Sequence, residues 1–339
     1  MKIIALIDPE TFAPDDPQFE QGLDHVLRLL EYHVVEALRI LGHTVDVMPF
    51  ELDILQTLQQ IVDTKPDLIF NLTEHFRGDR QMDMNIASLL ELSGYPYTGT
   101  GPSGLLLCRD KALAKTILNH HRVKVPDFAS LPVGTTRLQR RMDYPMIVKP
   151  ALMDGSDGIS RSSIVFNETE LAERAEMLHS RTQQPVICEA FVHGREIYVG
   201  VLGNRQLTVL PPRELRFDAS AEEGPKIATA RVKLDEAYRK KWNIQYTFAE
   251  LDPEMERKIA RVCKRIYRVL HLRDYARIDL RINPEGVIYC LEANPNPDLT
   301  MGDELSEAAE RAGISYEQLI ARIVHQARRR TRQTVQSAA

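Results

Sequence analysis

Two neighbouring stretches in the last third of the chain carry side chains that could hold a metal ion. Polar and apolar residues alternate strictly from 275 to 282, which is the pattern of a strand with one buried face. Turn residues occupy 283–286, and 287–293 has the composition of a second strand. We therefore predict that the two strands pair as a hairpin that closes about Pro284 and Glu285.

The predicted hairpin brings two carboxylates, an amide and a guanidinium to one surface. In a regular register residue 279 lies opposite residue 290, so that Asp279 and Glu292 are diagonal neighbours. Cys290 and Asn294 share the face of Glu292, and Arg277 shares the face of Asp279. Carboxylate and amide oxygens suit a hard cation such as Mg2+, which keeps waters and takes further ligands from phosphates. The alternative interpretation is an exposed hairpin face on which charged residues happen to alternate.

A strand that ends in a lysine and is followed by a small loop indicates a phosphate-binding site. The apolar strand 146–148 ends at Lys149 and Pro150. A lysine held at the end of a strand can meet a phosphate as a point charge. The loop 154–160 offers backbone N–H groups and the hydroxyl of Ser156 to phosphate oxygens. A simple hairpin turn is the alternative interpretation of this loop.

Composition restricts the class of protein. The 339 residues are 43% hydrophobic and 27% charged, which is typical of a globular chain of about two to three domains. A net charge of -5 argues against a general nucleic-acid or membrane-surface binder. Residues 2–7 predict a first strand and not a signal peptide. The four cysteines form no CxxC pair, so we expect neither a zinc site nor a disulfide framework, and we expect a cytoplasmic location.

Strands and helices alternate in the first hundred residues. The predicted strands are 2–7, 44–48 and 67–71. Segments with helical apolar spacing separate them, which favours a parallel sheet with helices on its faces. The glycine- and proline-rich stretch 94–101 marks the end of this unit. The long polar connections 8–22 and 215–226 are typical of ligand-binding loops as well as of plain surface loops.

Five motifs, in this order, resemble those of ATP-grasp ligases of the D-alanine–D-alanine ligase-like branch. They are Tyr95-Pro-Tyr-Thr-Gly-Thr-Gly, Arg109-Asp-Lys, Met146-Ile-Val-Lys-Pro with its small loop, Val186-Ile-Cys-Glu-Ala-Phe-Val-His-Gly-Arg-Glu, and Ala276-Arg-Ile-Asp-Leu ending at Leu291-Glu-Ala-Asn-Pro-Asn-Pro. The resemblance extends from about residue 94 to 325 and is weak before that.

The resemblance implies an ATP-grasp fold of the α/β class, with α+β character in the part that binds ATP. An N-terminal parallel α/β substrate domain would be followed by two α+β subdomains that clamp ATP. The implied units are the N-terminal domain at 1–102, a central subdomain at 103–192, a C-terminal subdomain with the metal site at 193–328, and a flexible tail at 329–339.

The resemblance also implies roles for individual residues. The nucleotide contacts are Lys111, Lys149 and Ser156 at the phosphates, Glu189, Ala190 and Val192 at adenine, and Glu196 at ribose. The metal ligands are Asp279, Glu292 and Asn294, for Mg2+ or alternatively Mn2+. The catalytic residues are Ser156, Lys226 of a mobile loop, and Arg277, which would steady an acyl-phosphate and a tetrahedral intermediate.

The implied activity is ADP-forming ligation of a carboxylate to an amine, but the substrate half departs from D-alanine–D-alanine ligases. The loop 8–22 lacks the family's glutamate and serine, Gly155 and Ile227 replace a serine and a tyrosine, and Asp298 replaces a glycine. Asp298 would repel a substrate carboxylate unless it meets a cation.

We therefore expect small amino-acid-like substrates other than a D-alanine pair. A true D-alanine–D-alanine ligase, an inactive ATP-binding sensor or partner protein, and a related phosphotransferase are the alternatives. We expect no nucleic-acid or membrane partner, and the family resemblance suggests a homodimer.

Overall fold

A computed structural model of the chain describes residues 1–12, 14–20, 29–153, 160–217, 232, 236–242 and 244–338. In these ranges the strands form three sheets, one parallel and two built from antiparallel pairs. The expected α/β class is confirmed. No helix in the described part of the chain is both long enough and apolar enough to cross a membrane.

The first sheet is parallel and three-stranded, with the order β2-β1-β3. Its strands are β1 (Lys2–Ile7), β2 (Thr44–Pro49) and β3 (Leu68–Asn71), and its helices are α1 (Leu29–Ile40), α2 (Ile54–Thr64) and α3 (Asp83–Ser93). Ile3 packs against α1, whereas Ile4 on the opposite face packs against Ile61 of α2. Helices on both faces explain why β1 is a continuous apolar run.

The second sheet is antiparallel, with the order β4-β7-β5-β6. Its strands are β4 (Phe128–Leu131), β5 (Met146–Pro150), β6 (Ile164–Val165) and β7 (Val186–Ala190). The associated helix is α6 (Glu168–Thr182), and α4 (Pro102–Arg109) and α5 (Lys111–His120) precede the sheet. Leu171 and Leu178 on one face of α6 pack against Met146 and Val148 of β5. The sheet therefore has one covered face and presents the other face to the rest of the chain.

The third sheet has the order β11-β10-β8-β12-β13, with β9 paired to β8. Its strands are β8 (Arg195–Leu202), β9 (Thr208–Val209), β10 (Arg213–Arg216), β11 (Gln245–Phe248), β12 (Tyr275–Ile282) and β13 (Ile288–Pro295), and its helices are α7 (Glu236–Lys241) and α8 (Pro253–Val269). Leu118 of α5 lies in one buried cluster with Ile197 of β8, Ile278 of β12 and Ile266 of α8. The apolar face of α5 therefore packs towards the third sheet and its helix α8.

The last two helices are α9 (Glu304–Arg311) and α10 (Tyr316–Ala338), and they return to the first sheet. Ile320 and Ile323 of α10 lie in one buried cluster with Ile3 and Val34. Helix α10 continues through most of the range 329–339, for which we expected a flexible tail.

Asp274, at the start of β12, ties the first unit to the third sheet. Its fully buried carboxylate accepts hydrogen bonds from the Gly99 backbone N–H (2.9 Å), Asn204 Nδ2 (2.8 Å) and Arg330 Nη1 (2.9 Å). Gly99 has a φ of +94°, and a Cβ there would lie 2.6 Å from Oδ1 of Asn296. The glycine predicted to end the first domain is therefore required by both its backbone conformation and the close approach of Asn296.

Replacing Arg330 with alanine is expected to lower the free energy of unfolding by roughly 2–4 kcal/mol, because it leaves the buried Asp274 carboxylate without its cation. Chemical denaturation measures the change. Arg329→Ala removes an exposed neighbouring arginine and is expected to cost less than roughly 0.5 kcal/mol. Equal losses for the two variants would contradict the assignment.

Candidate active site

The β12–β13 hairpin is present, but its register differs from the predicted one. Asp279 pairs directly with Glu292, and Leu280 pairs with Cys290, so that the register shifts by one residue between Asp279 and Leu280. Leu291 is the extra residue of this β-bulge. The bulge turns Cys290 into the core, where it is 1% exposed, while Glu292 and Asn294 stay on the face of Asp279. The expectation that Cys290 shares the face of Glu292 was therefore wrong.

The hairpin face carries the oxygens predicted to bind a metal ion. Arg277 pairs with Asn294, two register positions from the pair of Asp279 and Glu292 and therefore on the same face. Nδ2 of Asn294 is buried and has no hydrogen-bond partner in the described structure. Among the described residues no group of three or more His, Cys, Asp and Glu side chains is arranged to hold a metal. A site here would consist of two carboxylates and one amide oxygen, which is the chemistry of a hard cation that keeps waters.

Arg277 is held between two carboxylates. Its Nε and Nη2 donate to Asp279 (2.8 and 3.1 Å), and its Nη1 donates to Oε2 of Glu304 at 2.8 Å. The guanidinium also lies over the Tyr198 ring, 5.4 Å from the centroid. Burial opposes its charge, but Asp279 and Glu304 hold the pKa of Arg277 above its usual value. The guanidinium is therefore fixed and charged at the end of the hairpin that carries the polar face.

Two lysines share one buried glutamate on the facing sheet. Nζ of Lys149 lies 2.9 Å from Oε1 of Glu189, and Nζ of Lys115 lies 3.3 Å from Oε2. Lys115 also donates to the carbonyl of Leu291, the bulge residue, at 2.6 Å. Burial alone would raise the pKa of Glu189, but the two lysines outweigh it and the pKa is lowered. Lys115 thereby joins the second sheet to the hairpin.

Sequence reasoning missed Lys115. It is 2% exposed and lies one helical turn after Lys111 on α5. Its position four residues from a lysine that was singled out was the available signal, but a lysine at helical spacing is usually a surface residue.

Lys111 is buried beside the second sheet, where its Nζ donates to the carbonyl of Met153. Burial lowers the pKa of Lys111 to about 8, against the opposing effect of Glu292. A buried ammonium with a lowered pKa is stabilised when an anion approaches it. The position therefore fits the predicted contact with a phosphate.

The residues predicted for adenine and ribose lie where β7 passes into β8. Oε1 of Glu196 accepts a hydrogen bond from the Tyr198 hydroxyl at 2.7 Å, and Oε2 is paired with Arg281. Nη1 of Arg281 also donates to the carbonyl of Val192 at 3.0 Å, and the backbone N–H of Ala190 donates to the carbonyl of Asp127 at 2.7 Å. Arg281 therefore links two predicted nucleotide contacts, a role that the alternation pattern did not reveal.

Two predicted catalytic residues, Ser156 and Lys226, lie outside the described residues. The small loop that contains Ser156 and most of the connection 215–226 are likewise outside them.

A cavity of about 550 Å3 lies beyond the hairpin, between the ends of the first and third sheets. Its described lining includes the carboxylates Glu74, Asp83, Asp298, Asp303, Glu304 and Glu307 and the arginines Arg80, Arg109, Arg213, Arg239 and Arg277. Arg277 and Asn294 belong to both the hairpin face and this lining. The polar hairpin face therefore opens directly into a highly charged cavity.

The chain is similar in sequence to known ligases. Residues 120–325 match the family model described as D-ala D-ala ligase C-terminus. A D-alanine–D-alanine ligase of Aquifex aeolicus is 30% identical over 295 residues, which cover 86% of this chain and 92% of that protein. An uncharacterized protein of Sinorhizobium fredii, y4sG, is 31% identical over 311 residues, which cover 88% of this chain and 87% of that protein.

Solved structures show the same fold. The D-alanine–D-alanine ligase of Bacillus anthracis complexed with ATP superposes with a TM-score of 0.75 at 20% identity, over 98% of this chain and 99% of that one. The VanG D-Ala:D-Ser ligase of Enterococcus faecalis superposes with a TM-score of 0.68 at 19% identity, over 96% of this chain and 99% of that one.

The bulge can be tested through the reactivity of Cys290. Burial raises the pKa of its thiol to about 12, so we expect labelling by a thiol reagent in the native protein to be roughly a thousandfold slower than in the unfolded protein. Mass spectrometry of the peptide that contains Cys290 measures both rates. Rapid native labelling would indicate that Cys290 lies on the open face, as a regular register requires.

Proposed function

Because the chain belongs to the D-alanine–D-alanine ligase family of ATP-grasp enzymes, we propose that this ATP-dependent, ADP-forming ligase joins the carboxylate and the amine of two small amino-acid-like substrates other than a D-alanine pair. The observation that carries the proposal is the convergence of Arg277, Asp279, Glu292 and Asn294 on one hairpin face that opens into a charged cavity. We retain 1–102, 103–192 and 193–328 as the proposed units, with the packing of α5 on the third sheet as a modification.

The nucleotide site is proposed to lie between the second and third sheets. Lys111 and Lys149 would contact phosphates, Glu189 with the backbone of Ala190 and Val192 would contact adenine, and Glu196 would contact ribose. Both oxygens of Glu189 already face lysines, but each ammonium carries three donors and can reach a phosphate while keeping that ion pair. Ser156 and Lys226 keep their proposed roles in covering the phosphates and the reaction centre.

The metal is proposed to be Mg2+, or Mn2+ in its place, held by Asp279, Glu292 and Asn294. When bound there, a divalent cation neutralises charge on the phosphates and orients them. Asp279 can serve it without losing Arg277, because a carboxylate has lone pairs beyond the two that Arg277 uses. Glu304 would hold the guanidinium in either case.

The proposed reaction begins when the carboxylate of one substrate attacks the γ-phosphate of ATP. The resulting acyl-phosphate is attacked by the amine of the second substrate, which gives an amide, ADP and phosphate. Arg277 would donate to the oxygen that becomes negatively charged in the tetrahedral intermediate. Its fixed orientation, set by Glu304 and Asp279, means that little reorganisation is needed when that charge develops.

A homodimer in the cytoplasm completes the proposal. The four cysteines are free and buried, which accords with a reducing compartment. The dimer is carried over from the family resemblance, and size-exclusion chromatography with light scattering tests it.

Phosphate release from ATP and Mg2+ should require a pair of amino-acid-like substrates and should yield a product whose mass equals their sum less water. A panel of amino acids and dipeptides, alone and in pairs and including D-alanine, is read by mass spectrometry. Glu292→Gln is expected to abolish release and retain some nucleotide binding, because it removes one anionic metal ligand. Activity confined to the D-alanine pair would favour the true D-alanine–D-alanine ligase. Nucleotide binding with no release for any pair would favour the sensor.

Nucleotide affinity is expected to weaken above pH 8 through Lys111. The free protein loses the Lys111 proton as the pH rises through about 8, whereas the bound phosphate keeps that lysine charged. The dissociation constant for ATP should therefore rise, by up to about tenfold per pH unit, when it is measured by calorimetry from pH 7 to 10. Lys111→Arg stays charged and should show a flatter profile, and identical profiles would contradict the role of Lys111.

A further inference from the structure

Two buried carboxylates lie at the carboxyl ends of the first sheet, which is where ligands of parallel sheets bind. Asp8 directly follows β1, and Glu31 lies on α1; each is 6% exposed. Oδ2 of Asp8 accepts the backbone N–H of Glu74 at 3.0 Å. Oδ1 of Asp8 is also buried, and it has no hydrogen-bond partner in the described structure.

The surroundings of these carboxylates supply little positive charge. In the described ranges no lysine or arginine forms an ion pair with Asp8 or Glu31, and the ring Nε2 of His75 lies 3.7 Å from Asp8 and 3.6 Å from Glu10. Burial raises the pKa of Asp8 to about 6 and that of Glu31 to about 7. The two carboxylates are thus buried without a lysine or arginine whose attraction would offset the free energy of their desolvation.

This acidic pair adjoins the wall of the substrate cavity. Glu74 lines the cavity, and its backbone N–H donates to Oδ2 of Asp8. His33, two residues after Glu31, accepts the backbone N–H of Met301, in the loop that carries the cavity residue Asp298. The acidic pair therefore lies next to two segments of the cavity wall, the one that contains Glu74 and the one that contains Asp298.

The unbalanced charges of the cavity itself are also negative. Four of its arginines are matched with carboxylates: Arg80 with Glu74, Arg109 with Asp83, Arg213 with Glu307 and Arg277 with Glu304. Asp298 and Asp303 accept hydrogen bonds from Thr300 and from the Glu304 backbone, respectively, but form no ion pair with an arginine or lysine in the described part of the chain. Burial, together with Asp298 and Glu304, raises the pKa of Asp303 to about 6.

We propose that one substrate of the ligase carries a second cationic group, an ammonium or guanidinium on its side chain, and that the buried carboxylates of Asp8 and Glu31, next to the cavity wall, recognise it. The inference rests on the proposed function, since it describes a substrate of that reaction.

Equilibrium binding tests the inference without requiring turnover. The full-length protein, saturated with ADP and Mg2+, is titrated by calorimetry with lysine, ornithine and norleucine as both enantiomers. Norleucine has nearly the length of lysine but an uncharged end. We expect at least one lysine or ornithine enantiomer to bind roughly tenfold or more tightly than the matching norleucine. Equal affinities, or no binding of either cationic ligand, would overturn the inference.

Variants assign the preference to the acidic residues. Asp8→Asn combined with Glu31→Gln should remove most of the preference for the cationic ligand, while Asp63→Asn, an exposed carboxylate on α2, should leave it unchanged. If the double variant does not fold, Asp298→Asn at an exposed position should reduce the same preference by a smaller factor. A preference that survives both Asp8→Asn with Glu31→Gln and Asp298→Asn would refute the assignment.

Phosphate release, measured in parallel, separates this inference from the proposed function. If cationic ligands bind in a way that depends on Asp8 and Glu31 but no pair gives an amide, the cation site would be supported and the proposed ligase substrates would be contradicted. Amide formation from uncharged pairs, with no preference for a cationic side chain, would uphold the ligase and refute the cation site.

Discussion

Charge that is buried between sheets and must be neutralised in place is the constraint on which the arrangement of this protein depends. Glu189 is matched by Lys149 and Lys115, and Arg277 by Asp279 and Glu304. Each group joins elements that are distant in sequence, so that moving one element would expose an uncompensated charge to a medium of low polarity. Lys115, which is paired with Glu189 and donates to the carbonyl of Leu291, thereby connects the second sheet to the hairpin of the third sheet.

The same pairing prepares the site for highly charged ligands. Nucleotide phosphates and a divalent cation could bind at this site only if the charged side chains exchanged their ion-pair partners or shared them with the ligand. The side chains present have the donors and lone pairs to share. Lys149 has more donors than Glu189 uses, and Asp279 has more lone pairs than Arg277 uses. If Asp279 held a metal ion, Arg277 would still donate to Glu304.

The alternation of residues 275–282 predicted the hairpin and its polar face, since a period of two is set by the backbone alone. The bulge at Leu291 escaped prediction because an extra residue is accommodated by tertiary contacts, here the hydrogen bond from Lys115 to its carbonyl. Lys115 escaped because its burial depends on Glu189, more than seventy residues away in the sequence. For the same reason the contact of Arg330 with Asp274 could not be inferred from a run of basic residues.

The reaction and the substrate are controlled by different parts of the chain. In the proposed function the family motifs supply the lysines, the hairpin oxygens and Arg277, which would act on ATP. The cavity beyond them has an excess of carboxylates, of which Asp298 and Asp303 lack a basic partner among the described residues. A substrate with a methyl side chain would desolvate these carboxylates without forming a favourable interaction with them. A cationic side chain would offset the free energy of desolvation by electrostatic attraction. Divergence in the cavity therefore changes which amine or acid is selected while the chemistry at the hairpin stays the same.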